Sequence, residues 1–340
     1  MIRWFLLPAL LLALMLTMAT AYVGYQVLKP LQLDQAALYE VKSGSNLKQF
    51  LISLQSLGVL ESELPVYLVA RLTHKGIDLN AGEYQLLPGM TGWDLLLLLN
   101  QGNVYQHSFT IIEGWTVKEL LSALSDDQRF THQLAPDSSF QQLTSLVGMS
   151  ANHPEGWFAP DTYYFTRHSD DVALLTRAYR RQQEILSSLW ESRAAELPYD
   201  SAYQALIMAS VVEKETGTPL ERNRISGVFV RRLQRGMRLQ TDPTVIYGMG
   251  NKYQGNITRK DLEAHTAYNT YRISGLPPTP IALPGEDAIY AAMHPESGDA
   301  LYFVAKGDGS HFFSSSLEQH NQAVRQFQWR RNPDYQSAPK

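Results

Sequence analysis

The chain is 340 residues long, which gives room for two domains and a sizeable hydrophobic core. With 29 basic against 33 acidic residues and no long basic tract, it lacks the electrostatic footprint of a nucleic-acid-binding protein. Cysteine is absent, which excludes disulfides and thiol chemistry. The nine histidines show neither an HExxH pattern nor a close pair at metal-ligand spacing, so no cofactor is expected.

In chain order, the first feature is a charge-free apolar run from Trp4 to Val27, bounded by Arg3 and Lys29 and long enough to span a bilayer. Ala19-Thr20-Ala21 offers the competing reading of a cleaved signal peptide. The apolar character continues past it, with Tyr22 and Tyr25 suited to an interfacial belt, and this favours a retained anchor over residues 1–29. The flanking basic residues are too evenly placed to orient it. Residues 30–38 read as a linker.

Residues 39–104 then read as a small α/β module. Leu38 to Val41 is strand-like, Ser45 caps a helix carrying Leu47, Phe50, Leu51 and Leu54, and a second helix follows Glu61 through Arg71. Gly82 to Leu86 predicts another strand, and Thr91 opens an apolar helix from Trp93 to Leu99. From 105 to 333 the chain reads as a larger mixed α+β domain. It starts with a strand at 105–112 and a capped helix at Thr116-Val117-Lys118-Glu119. A helix from Leu174 to Arg193 carries Arg177, Arg180 and Arg181 on a solvated face. Leu301 to Val304 and His311 to Phe313 form a hairpin around Gly307-Asp308-Gly309-Ser310, and His294, His311 and His320 are structural or cleft-edge residues. Residues 334–340 are an expected disordered tail.

The most informative stretch is 205–250. Tyr203 to Val212 is apolar nearly all round, as a central helix would be, and it ends in Glu213 and Glu215. Two residues apart, these carboxylates point to different faces. One suits a cleft and the other an arginine of the next helix. Burial and the negative end of the helix dipole would both raise the pKa of Glu215, as a general acid requires, although a glutamate at a helix end beside arginines also suits an ion pair. Thr218-Pro219-Leu220-Glu221 predicts a capping box for the next helix. That helix carries Ile225, Val228, Phe229 and Leu233 on one stripe, with Arg224, Arg231, Arg232 and Arg235 mostly elsewhere, and Gly236 follows its end.

EKET at 213–216, MRLQTDPTVIYGMG at 237–250, AYNTY at 267–271, GLPPTPIALPG at 275–285 and EGWFAPDTYYF at 155–165 resemble the YceG-like endolytic murein transglycosylases. The resemblance runs from the apolar N-terminus to LYFV at 301–304 and HFF at 311–313. It implies an α+β chain with an N-terminal transmembrane helix, a LysM-like module at 39–104 and a catalytic domain at 105–333. It also implies a short cytoplasmic N-terminus, an inner-membrane span and a periplasmic body working alongside cell-wall synthases. The implied reaction cleaves the β-1,4 bond between N-acetylmuramic acid and N-acetylglucosamine within peptidoglycan strands and leaves a 1,6-anhydro end. The family's acid/base falls on Glu215, with Glu213 as fallback.

Around that acid, Gln240, Thr241, Tyr268 and Asn269 are candidate hydrogen-bonding groups for sugars. Trp157, with Phe158, Tyr163 and Tyr164, offers candidate stacking faces, although such aromatics are more often core than ligand platform. The proline-rich 275–285 segment is expected as a rigid loop along the cleft. Asp242 and Asp161 are the available second carboxylates, and turn or capping duty competes for both. Two other readings stay open: a hydrolytic muramidase with Asp242 as its second carboxylate, and a non-catalytic peptidoglycan-binding scaffold.

Overall fold

The structure, a computed structural model, describes residues 3–73 and 79–328, with residues 3–6 described by backbone alone. The expected disordered tail and the 333 boundary lie outside the described residues. The chain divides into two compact units: unit 1 is Met1–Ser108 with Tyr164–Arg167, and unit 2 is Phe109–Tyr163 with His168–Lys340.

Unit 1 begins with helix α1 (Arg3–Leu28), whose Leu7–Leu28 portion is long and apolar enough to cross a membrane. Strand β1 (Ala37–Val41), helices α2 (Leu47–Ser56) and α3 (Glu63–Thr73), strand β2 (Gly82–Leu86), helix α4 (Gly92–Gln101) and strand β3 (His107–Thr110) follow. β1 and β2 pair antiparallel with Tyr39 opposite Tyr84. The helices bury Phe50, Leu51, Leu54, Val66, Leu95, Leu96 and Leu99 against that pair. The N-cap of α2 is Asn46 rather than Ser45. Its amide oxygen accepts from Gln49 N, and Gln49 reaches back to Asn46 N, so both orphan donors are satisfied.

The expected 30–38 linker is instead partly core. Val27 and Leu31 are buried among the unit 1 side chains, and Leu31 N donates to Met90 O. Gly92 makes this close approach possible, because an added Cβ would stand 3.1 Å from Val27 O and 2.9 Å from Val66 Cγ2.

Unit 2 contains the second half of β3, α5 (Val117–Asp126), α6 (Phe140–Val147), the first half of β4 (Thr162–Phe165), α7 (Asp171–Glu191), α8 (Ala202–Glu215), α9 (Arg222–Gln234), α10 (Asp242–Met249), α11 (Arg259–Glu263), α12 (Glu286–Met293), β5 (Tyr302–Ala305), β6 (His311–Ser314) and α13 (Leu317–Phe327). Helix α8 is the axis of the unit. Every residue from Ala205 to Val212 is buried, and α7, α9, α10 and α12 pack around it. Each of its larger side chains contributes about 1.5–3 kcal/mol by leaving water. The 275–285 segment forms no regular helix or strand. It docks onto α8 through Ile281 N donating to Ser210 Oγ (3.0 Å), with Ile281, Ala282 and Leu283 buried.

β5 and β6 form the expected hairpin, with Phe303 opposite Phe313. Gly236 ends α9 in a left-handed conformation (φ 66°), and Met237 N closes onto Arg232 O. The expected capping box at Thr218 does not form. Thr218 donates to Gly309 O, and Glu221 accepts from the backbone N of His311 instead.

Candidate active site

Helix α8 stops at Glu215 because Thr216 turns extended (φ −148°, ψ 132°), and this delivers the two carboxylates to different surroundings. Glu213 faces Arg222, whose Nη2 lies 3.4 Å from its Oε1, while Gly285 N donates to its Oε2 at 3.0 Å. Arg222 also meets Glu113 and Asp287. Burial raises the pKa of Glu213, opposed by these two donors. The separation of roles anticipated from the two-residue spacing is therefore present, with Glu213 tied into the protein.

Glu215 opens onto a polar cleft of about 900 Å³ lined by Gln240, Thr241, Asp242, Tyr271, Tyr302 and His311, among others. The residue keeps some surface toward this space, but protein encloses its carboxyl on the other sides. Burial pushes the carboxyl up to about 7, and the nearby Asp242 adds to the rise. The Thr241 hydroxyl donates to Glu215 Oε1 and acts in the opposite direction. At neutral pH the group is thus poised between acid and conjugate base.

The loop that presents Thr241 is held by a relay of hydroxyls. Thr241 N donates to Thr270 Oγ1 (3.0 Å), Thr270 Oγ1 lies 2.8 Å from Thr244 Oγ1, and Thr244 donates to Thr241 O (2.8 Å). Gln240 enters this loop with φ 53°, a left-handed conformation that costs a non-glycine residue roughly 1–2 kcal/mol. The hydroxyl relay over-determines the turn and offsets that strain.

Asp242 occupies the first turn of α10 but does not cap it. It accepts from the Tyr271 hydroxyl at 2.7 Å, and burial together with this partner keeps the phenol protonated. Arg232, read as lying off the apolar stripe of its helix, is buried and lines the cleft. Its Nε donates to Leu301 O (2.7 Å) and its Nη1 to Leu239 O (2.6 Å), so it braces the cleft wall through backbone carbonyls. His311 and His320 also line the cleft, with Glu221 against His311 Nδ1.

The other expected site residues lie elsewhere. Asn269 is fully buried, and its amide nitrogen donates to Asp261 O, Leu262 O and Ala264 O while its oxygen accepts from Tyr271 N. Its hydrogen-bonding capacity is spent on the loop, not offered to a ligand. The hydroxyl of Tyr268 pairs with Thr279 (2.9 Å), outside the lining of the Glu215 cleft. Trp157 stacks on Tyr203 and lines separate surface hollows; Phe158 and Tyr163 are core, and Tyr164 is exposed. Asp161 accepts from the adjacent Thr162 N, and the 275–285 loop likewise does not line the Glu215 cleft. The cleft thus gathers Glu215, Gln240 and Thr241, and leaves out Trp157, Tyr268 and Asn269.

A further acid went unnoticed in the sequence. Glu155 is 1% exposed, accepts from Val117 N and the Tyr247 hydroxyl (both 2.9 Å), and is pushed by burial up to about 7. It does not line the cleft. Among the described residues, no group of three or more His, Asp or Glu is placed to hold a metal ion.

An endolytic murein transglycosylase of Bacillus subtilis (strain 168) is 30% identical over 322 residues, 89% of each chain. One of Streptococcus pneumoniae serotype 2 (strain D39) is 27% identical over 353 residues, which are 92% of this chain and 63% of that longer relative. The crystal structure of a YceG-like protein from Listeria monocytogenes superposes with a TM-score of 0.52 at 28% identity, over 85% of this chain and 99% of that one. The YceG-like family model itself matches residues 39–326, which reach into both units and include Glu215, Gln240 and Thr241, and the chain belongs to the YceG-like family.

Proposed function

We propose that this chain is a membrane-anchored endolytic lytic transglycosylase of peptidoglycan, with Glu215 as general acid and base. The observation that carries the reading is the Glu215 carboxyl, pushed up to about 7 by burial and opening onto a polar cleft of about 900 Å³. The names of the relatives from Bacillus subtilis and Streptococcus pneumoniae support murein as the substrate.

In the proposed reaction, Glu215 gives its proton to the glycosidic oxygen, and N-acetylglucosamine departs with a free 4-hydroxyl. The 6-hydroxyl oxygen of the same muramyl residue bonds to C1 as the glycosidic bond breaks. The Glu215 carboxylate takes the 6-hydroxyl proton and is ready for another turnover. One carboxyl suffices because the nucleophile is internal to the substrate, unlike a hydrolase that places two carboxyls around the bond. Thr241 stabilises the carboxylate that forms midway.

Gln240 and Thr241 are the proposed contacts to acetamido and hydroxyl groups. The β1-α2-α3-β2 module is read as LysM-like and glycan-binding, α1 as a single inner-membrane span with the body in the periplasm, and cell-wall synthases as partners. Asp242 favours one second reading. It shares the cleft with Glu215, and as a base it would let water attack C1 in a muramidase.

The test is full-length chain with purified uncross-linked glycan strands, wild type beside Glu215→Gln, with product ends read by mass spectrometry. Anhydromuramyl ends from wild type alone are expected. Reducing muramic ends would replace the reading with hydrolysis, and intact strands from folded wild type would replace it with a binding scaffold.

A further inference from the structure

The end of α1 is not a free tether. Val23 packs against the unit 1 core and Val27 is 3% exposed within it. A bilayer's hydrocarbon core is about 30 Å thick, or about 20 helical residues. Counted from Trp4 or from Leu7, that length ends between Val23 and Gln26. The residues that unit 1 grips are therefore those at the hydrocarbon boundary.

Helix α3 packs along this part of α1, with Val66 one side chain from Val27 across Gly92. Its opposite side carries Leu64, Leu68 and Leu72, spaced by four and hence on one stripe, at 52%, 40% and 83% exposure. Single exposed leucines are ordinary on a soluble surface, but a three-residue stripe at the level of a membrane boundary is a contact surface.

We infer that the Leu64–Leu68–Leu72 face of α3 lies in the interfacial layer of the bilayer that α1 spans, on the side from which unit 1 emerges. The inference rests on the reading of α1 as a retained membrane span. Its physical basis is that α3 packs where unit 1 grips α1, at the hydrocarbon boundary, with its leucine stripe turned out of the core. Arg71, in the last turn of α3, is a cation that suits anionic headgroups beside the leucines. Unit 1 is thereby held against the membrane face by two contacts instead of hanging from one.

The absence of cysteine makes a direct test simple. Full-length Leu68→Cys and Leu72→Cys, each nitroxide-labelled in lipid nanodiscs, are compared with Leu16→Cys in the span and Leu220→Cys at a 92% exposed site. Collision with oxygen reports lipid, and collision with a nickel chelate reports water. The expected oxygen-to-nickel ratio at Leu68 and Leu72 is several-fold above that at Leu220 and close to that at Leu16. Lipid-like Leu16 with water-like Leu68 and Leu72 overturns the inference and leaves the anchor standing. Water-like Leu16 overturns the anchor and the inference together. Low collision with both reagents at Leu68 and Leu72 means protein covers the stripe, which also overturns it.

Discussion

Glu215 and its two neighbours set the pH behaviour of the cleft. The general acid must be protonated, so kcat/KM should be level in mild acid and fall above about pH 7 with the slope of one proton. Glu215→Gln should reduce cleavage by roughly 10²–10⁴-fold, with glycan binding retained. Thr241→Val removes the donor that favours the carboxylate, so the falling limb should move to higher pH while the maximal rate drops roughly tenfold. Asp242→Asn removes a negative charge that raises the Glu215 pKa, and the limb should move the other way. Steady-state rates across pH for these variants separate the two effects. Loss of the anhydro product with Asp242 substitution would instead mark it as a chemical participant.

Among the elements, the joint between α8, α9 and the segment before α12 should be the most sensitive. Arg222 is buried and carries Glu213, so Arg222→Ala leaves that carboxylate uncompensated and should cost about 3–5 kcal/mol, read as a lowered melting temperature. Elements with strong local signals were legible in the sequence. The strand Gly82–Leu86, the apolar course of α8 and the Gly236 stop each depend on neighbours in the chain. Glu213 and Glu215 diverged for the same reason, since two residues along a helix fix their directions. What was not legible depends on partners far away in sequence. Asn46 took the cap expected of Ser45 because Gln49 could answer it, whereas Glu221 left its expected box for His311, 90 residues on. Asn269 carries the chemistry of a sugar contact, yet three carbonyls within eight residues absorb its amide. Arg232 lies off the apolar stripe of its helix, and its burial depends on a carbonyl at Leu301, 69 residues on.

For the whole molecule, the buried acids make stability fall as pH rises. In the unfolded chain Glu215 loses its proton near 4.5, and in the folded chain near 7, so the folded state binds more protons between these values. The penalty grows through that window and is complete above about pH 7, where it amounts to at most about 3 kcal/mol. Glu215→Gln should therefore melt above wild type at pH 8, and the gap should close toward pH 4. A second whole-chain consequence concerns where a soluble fragment begins. A chain starting at residue 30 loses Val27 from the unit 1 core, so one starting at residue 21 should be more stable by about 2 kcal/mol in denaturant unfolding.

The hydroxyl relay around Thr241 also gives the site a handedness. Thr270 and Thr244 pass their hydrogens inward to Thr241 O, leaving the Thr241 hydroxyl hydrogen to be directed at Glu215 Oε1. With Oε1 accepting from Thr241, the mobile proton of Glu215 is carried on Oε2. Delivery to the leaving oxygen is stereochemically one-sided. A sugar analogue whose ring-fused nitrogen carries its lone pair on that side should bind measurably in calorimetry, and the isomer with the lone pair turned away should not.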